Sequence, residues 1–143
     1  MDRPLGAQIS HMLKARGVDV IFGIPGVHNI EMYRGIEEAG IRHILARHEQ
    51  GAGFMADGYA RASGRPAVAY VITGPGLTNI LTPMGQAYSD SVPMLVISSC
   101  LDPTVVGQAK GKLHEMRDQG GAAATVCEWS KTAHDAAGTY HLH

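Results

Sequence analysis

Four short apolar runs, each followed by a break and then, for the first three, by a stretch with helical spacing, constrain this chain more than any other feature. Val18 to Ile24 ends in Gly23-Ile-Pro-Gly26, Ile41 to Ala46 ends just before Glu49, Ala67 to Thr73 ends in Gly74-Pro-Gly76, and Met94 to Ser99 closes the series. The runs are largely apolar rather than alternating, which is the pattern of strands covered on both faces. Between them, Ile30 to Gly40, Glu49 to Ser63 and Leu77 to Ser89 read as helices. A further helix precedes the first run, because Leu5, Ile9, Met12 and Leu13 recur at helical spacing and Gly17 stops them. Strands alternating with helices predict an α/β fold, an open parallel sheet with helices on both faces.

Such a sheet takes ligands beyond the carboxyl ends of its strands, so the informative segments are those just after Ile24, Ala46, Thr73 and Ser99. Past Ser99 the pattern thins. A loop through Gly107 to Gly111, a short helix near Glu115, a small-residue stretch from Gly120 to Ala124 and a short strand over Trp129 to Ala133 are expected, while Gly138 to His143 closes no recognisable element. At 143 residues the chain fits one domain with a real core.

Composition narrows the partners. Lys and Arg number 12 against 13 Asp and Glu, a formal charge of -1, and no basic stripe stands out, so nucleic acid is not an expected partner. No apolar run reaches the length of a membrane span. Cys100 and Cys127 match no paired-ligand spacing, and no apolar signal core follows Met-Asp-Arg-Pro at the start; the expected location is the reducing cytoplasm, away from membranes.

The segment from Arg47 to Arg61, Arg-His-Glu-Gln-Gly-Ala-Gly-Phe-Met-Ala-Asp-Gly-Tyr-Ala-Arg, puts Glu49 at a helix start directly after a buried strand. An acid there complements the helix dipole by about 0.3–1 kcal/mol and needs no function. It also stands at the mouth of the crevice. Gly51, Ala52, Ala56, Gly58, Ala60 and Ala62 would let another helix or backbone approach, and a carboxyl carried into such an interface loses water, which suits it to proton exchange.

Glycine-rich turns from strand to helix often cradle phosphates, and Gly74-Pro-Gly76 is one. It is not a dinucleotide fingerprint, because Asn79 stands where the third glycine would and the turn follows the third strand. On the residues alone, a bare turn and a ligand loop remain equally open. His28, after the first glycine turn, and His114, after the fourth strand, fall at the same end of the sheet, where imidazole titrates near neutrality or is simply solvated. His43, His48, Asp57 and His141-Leu-His143 carry no expected role. Ile80, Leu81 and Met84 read as core or subunit interface.

Four ordered segments, Phe22-Gly-Ile-Pro-Gly26, Arg47 to Arg61, Thr73-Gly-Pro-Gly-Leu-Thr-Asn79 and Asp90-Ser-Val-Pro93, resemble the pyrimidine-binding domain of thiamine diphosphate enzymes of the acetolactate-synthase type. The resemblance implies the thiamine diphosphate-binding fold, and decarboxylation or carboligation of a small-molecule 2-oxo acid. It implies that Glu49 hydrogen-bonds the cofactor pyrimidine and favours its imino tautomer. Pro25, Gly26, Thr73, Gly74, Pro75, Gly76 and Asn79 would line the cofactor cleft with it, His114 would donate a proton in catalysis, and His28 would touch the substrate. At His114-Glu-Met the sequence departs from the acetolactate synthases, which carry glutamine beside glutamate.

The resemblance further implies Mg2+, held with the cofactor diphosphate by a second domain marked by Gly-Asp-Gly and a later asparagine. That motif is missing here, since the one Asp-Gly pair, Asp57-Gly58, lacks the preceding glycine, and no metal ligand is expected in this chain. The expectation is therefore a single pyrimidine-binding domain, residues 1–143, incomplete at its C-terminal end, with the central and diphosphate-binding domains elsewhere. It would be part of a longer polypeptide or the partner of a chain carrying the diphosphate site, inactive alone and assembled as a homo-dimer or homo-tetramer. Two other readings stand beside it. One is a non-catalytic nucleotide-binding or regulatory module using Gly74 to Asn79 as an anion loop; the other is a structural partner that dimerises through the Glu49 to Ser63 helix.

Overall fold

The computed structural model describes residues 3–141. Its strands, β1 (Val20–Gly23), β2 (Arg42–Leu45), β3 (Ala67–Val71) and β4 (Met94–Ser98), form one all-parallel sheet in the order β2-β1-β3-β4. Its helices are α1 (Leu5–Ala15), α2 (Ile30–Glu38), α3 (Glu49–Ser63), α4 (Pro75–Ser89), α5 (Gln119–Ala124) and α6 (Ala136–His141). The α/β class and the parallel sheet expected from the sequence are what the chain adopts.

Both faces of the sheet are covered along β1 and β3, whereas β2 is an edge strand with Arg42 and Leu45 exposed, so the strand before Glu49 is not the buried one expected from the sequence. On one face, Ile9, Leu13, Met32 and Ile36 of α1 and α2 pack on Ile21, Val68 and Tyr70. On the other, Ala52, Ala56 and Ala60 of α3 meet Val20, Phe22 and Ala67, while Leu77, Ile80 and Met84 of α4 meet Ala69 and Val71. β3 is buried at every position, which is why its sequence is an unbroken apolar run. Its one polar atom is satisfied, since Tyr70 Oη lies 2.9 Å from Ser10 Oγ, which in turn donates to the Met32 carbonyl at 3.0 Å.

Small residues set how closely the helices approach. A side chain at Gly35 would meet the Ala7 backbone at 2.6 Å, and one at Gly53 would overlap the ring of Pro83 inside α4. The small-residue character of α3 is thus used largely within the domain. Ala52, Ala56 and Ala60 face the sheet and Gly53 faces α4, leaving Gly51, Gly58 and Ala62 outward.

Three expectations beyond Ser99 are corrected. Instead of a helix near Glu115 the chain makes a single turn, because His114 adopts a left-handed backbone (φ 64) and the Glu115 carboxylate takes the Lys112 amide at 3.0 Å. The helix lies further on, as α5 over the small-residue stretch, where the Asp118 side chain caps Gly121 N–H at 2.7 Å. Trp129 to Ala133 is not a strand; Trp129 is exposed and its carbonyl accepts from the Cys127 thiol, and β4 is the only neighbour of β3 on that side. Residues 136–141 form α6, held to α1 by the Arg16 guanidinium 4.9 Å over the Tyr140 ring. Leu142 and His143 lie outside the described residues, and with them the His141-Leu-His143 spacing. Among the described residues no helix is long and apolar enough to cross a membrane.

Candidate functional site

Strand order fixes where a ligand can sit. The chain leaves β1 for α2 on one face of the sheet and leaves neighbouring β3 for α4 on the other, so the two loops diverge and open a crevice between them. Asn29, 1% exposed, shapes the first loop: its Oδ1 accepts from Gly26 N–H at 2.7 Å and its Nδ2 donates to the Ile24 carbonyl at 3.4 Å. A side chain at Gly26 would overlap Ile72, and one at Gly76 would crowd the same residue, so both glycines are close-packed at the crevice floor. Pro25 is exposed beside them.

Glu49 is the first residue of α3, a helix whose N-terminus is capped by His48 Nδ1 accepting from Gln50 N–H at 3.1 Å. The glutamate is buried, and Asn79 Nδ2 on α4 donates to its Oε2 at 2.9 Å. Oε1 takes no hydrogen bond from the described residues. Behind it, the Tyr33 hydroxyl is enclosed without a partner, and burial, then the neighbouring Tyr70 and the Glu49 charge, push this phenol well above the usual tyrosine range. His43 meets Tyr33 edge-on at 4.9 Å; its Nε2 lies 3.3 Å from the Gly23 carbonyl, and burial holds the imidazole below its ordinary range against the opposing effect of that bond.

The second wall is the turn after β3. Gly74 adopts φ 69 and ψ -106, and its N–H donates to Gln119 Oε1 at 2.9 Å. Gln119 Nε2 in turn donates to the Ser99 carbonyl at 2.9 Å, tying this turn to the end of β4. Thr73 N–H donates to Ser99 Oγ at 3.0 Å, and its hydroxyl lies 3.0 Å from the same oxygen, so this threonine is committed within the protein and shapes the wall. Pro75 is exposed at the first turn of α4. The His114 carbonyl rests on Gly74, where any side chain would overlap it, and the His114 ring meets the His28 ring edge to face at 5.3 Å.

The fold thus brings the predicted residues together in two groups, Glu49 with Asn79 and His28 with His114 and Gly74. No hydrogen bond or ring contact among the described residues joins the two groups. Asn29, Tyr33, Ser99 and Gln119 escaped the sequence reading. Asn29 carried a signal, an asparagine three residues after a glycine at a helix start; Gln119 carried none, because its partners lie far away along the chain.

An open parallel α/β unit with a buried carboxyl at a switch-point crevice, walled by two glycine turns, is an arrangement suited to holding a small-molecule ligand. Residues 3–122 match the model of the thiamine pyrophosphate enzyme N-terminal TPP binding domain, and the chain belongs to that family. It is 56% identical over 128 residues to a probable 2-ketoarginine decarboxylase of Pseudomonas aeruginosa, a match covering 90% of this chain and 23% of that protein. It is 48% identical over 97 residues to the acetolactate synthase large subunit of Lactococcus lactis, covering 67% of this chain and 17% of that one. Against the mitochondrial acetolactate synthase catalytic subunit of Saccharomyces cerevisiae, identity is 43% over 104 residues, covering 71% and 15% respectively. The chain therefore spans less than a quarter of each of these relatives.

Proposed function

We propose that this chain forms the pyrimidine half of the cofactor site in a thiamine diphosphate-dependent enzyme that decarboxylates or carboligates 2-oxo acids. The observation that carries this reading is Glu49, a buried carboxyl with one oxygen held by Asn79 and the other left for a ligand. That arrangement fits the group. A carboxyl fixed through Oε2 presents Oε1 in one orientation, the requirement for exchanging a proton with a ring nitrogen. Bound there, the cofactor supplies an electron sink for breaking or making a bond next to a carbonyl.

The chain's own residues divide the remaining work. Pro25 and Gly26 on one wall, and Thr73, Gly74, Pro75 and Gly76 on the other, define the cleft around the pyrimidine, with Asn79 orienting Glu49. His114, the donor in catalysis, and His28, at the substrate, serve the far end. The diphosphate and its Mg2+ belong to a domain outside this sequence, in a longer polypeptide or a partner chain, and the working enzyme is a homo-dimer or homo-tetramer in the cytoplasm. Similarity to the 2-ketoarginine decarboxylase favours decarboxylation of a guanidino-bearing 2-oxo acid. The reading as a nucleotide-binding module is disfavoured, because Gly74 N–H, a donor that an anion loop would offer, is occupied by Gln119.

Glu49→Gln in the complete assembled enzyme tests the proposal. Turnover is expected to fall by at least about 100-fold, the scale of a lost general acid-base group, with the sizing profile unchanged. Full activity in that variant rules the assignment out.

A further inference from the structure

His28 and His114 reach the crevice from loops after different strands and meet edge to face, ring centroids 5.3 Å apart and planes at 73°. Each residue is half-buried, and in each ring Nδ1 is sealed from solvent without a hydrogen-bond partner. Nε2 is not sealed in either ring and makes no bond to the described residues, so it is the nitrogen each ring offers outward. The left-handed backbone of His114 and the seating of its carbonyl on Gly74 fix where that ring stands.

A neutral imidazole carries one proton, and the surroundings of its two nitrogens decide which holds it. A proton on Nδ1 would here be a buried donor with no acceptor, the rarer and costlier kind of orphan. A proton on Nε2 meets water or a ligand. We infer that His28 and His114 are both held as the Nε2–H tautomer and together act as a fixed pair of N–H donors for the carboxylate of the 2-oxo acid. The inference rests on the proposed function and goes past it, because it makes the pair specificity-determining donors for one substrate group and assigns the nitrogen that each ring uses.

The test reads tautomers directly. In the complete protein labelled with 15N-histidine, long-range proton–nitrogen correlation at neutral pH distinguishes the two forms, with His28→Gln and His114→Gln assigning the signals. Both residues are expected to carry the proton on Nε2, and a proton on Nδ1 at either one overturns the inference. This measurement needs neither cofactor nor turnover, so it can fail while the Glu49 assignment stands, and the reverse. A second readout compares amides. The Gln amide reaches the position of Nε2 and the Asn amide that of Nδ1, so the two replacements separate the nitrogens. For whichever of pyruvate and 2-ketoarginine is turned over, His114→Gln is expected to keep KM within about threefold. His114→Asn is expected to raise it by more than about tenfold, the loss of one hydrogen bond to a charged acceptor. Equal effects of Gln and Asn on KM overturn the donor role.

Discussion

Asn79 on α4 and Glu49 at the start of α3 stand 30 residues apart in sequence, yet Asn79 Nδ2 lies 2.9 Å from Glu49 Oε2. Replacing Asn79 with Leu leaves a buried carboxylate oxygen without its donor. The expected cost is about 1–3 kcal/mol in a urea titration of the complete protein. Glu49→Gln keeps an acceptor oxygen at that position, so its cost is expected below about 1 kcal/mol, which separates the structural part of the contact from its chemical part.

The two classes of glycine in the helices predict opposite signs. Gly53→Ala and Gly35→Ala push a methyl into Pro83 and into the Ala7 backbone, and each is expected to destabilise by about 1–3 kcal/mol through overpacking. Gly51→Ala and Gly58→Ala meet nothing within 4 Å and should gain up to about 1 kcal/mol from helix propensity in the separated domain surface. A loss at Gly51 or Gly58 that appears only in the assembled enzyme would mark that face as covered by another chain.

His43 gives the fold a dependence on pH. Its folded-state pKa lies below the unfolded value because burial disfavours the imidazolium. The unfolded chain therefore binds the extra proton first, and the stability contributed by neutral His43 is full above about pH 6.5 and declines as pH falls toward the lower folded value. His43→Phe should flatten that part of the stability profile; an unchanged slope would place its origin elsewhere.

Arg61 links α3 to the end of α4. It reaches Asp57 at 2.7 and 3.2 Å and Asp90 at 2.6 Å, and it, with Gln86, holds the Asp90 carboxyl below the usual carboxylate range. Asp57 is 7% exposed, so removing the guanidinium leaves a nearly buried acid unpaired. Arg61→Met is expected to lower the urea midpoint, with Asp57→Asn in the same chain recovering part of the loss. The contribution from Asp90 is present above its unfolded pKa and lost as pH falls toward the lower folded value, so the gap between the native protein and Arg61→Met should narrow as pH drops below about 4.

The sheet and its first four helices were legible because β1, β3 and β4 wrote largely apolar runs and each helix a local period, while β2, with Arg42 and His43, was recognisable only from its place between two helices. Glu49 to Ser63 was placed to the residue, since a strand, a polar gap and a glycine bounded it. Past Ser99 nothing local decided the structure. The Glu115 turn depends on a carboxylate reaching backbone amides, and Trp129 to Ala133, apolar only in part, found no strand to pair with. At the site, positions after strands were legible and partners were not. Asn79 was read as lining the cleft, but its hold on Glu49, and the meeting of His28 with His114, follow from strand order and loop seating that no spacing encodes. Tyr33 and His43 read as unremarkable helix and strand residues, and only the fold reveals that they meet beneath the crevice.

The two halves of the crevice rest on unlike foundations. Glu49 and Asn79 stand on a pair of long helices locked by the Gly53–Pro83 contact, whereas His114 stands on a connecting segment clasped through Gly74 and Gln119. Change in that segment can therefore reshape one wall of the crevice while leaving the helix pair untouched, so the domain can diversify at one end and stay constant at the other. An engineer seeking a new substrate should accordingly vary the stretch between Ser99 and Gln119 and leave α3 and α4 alone.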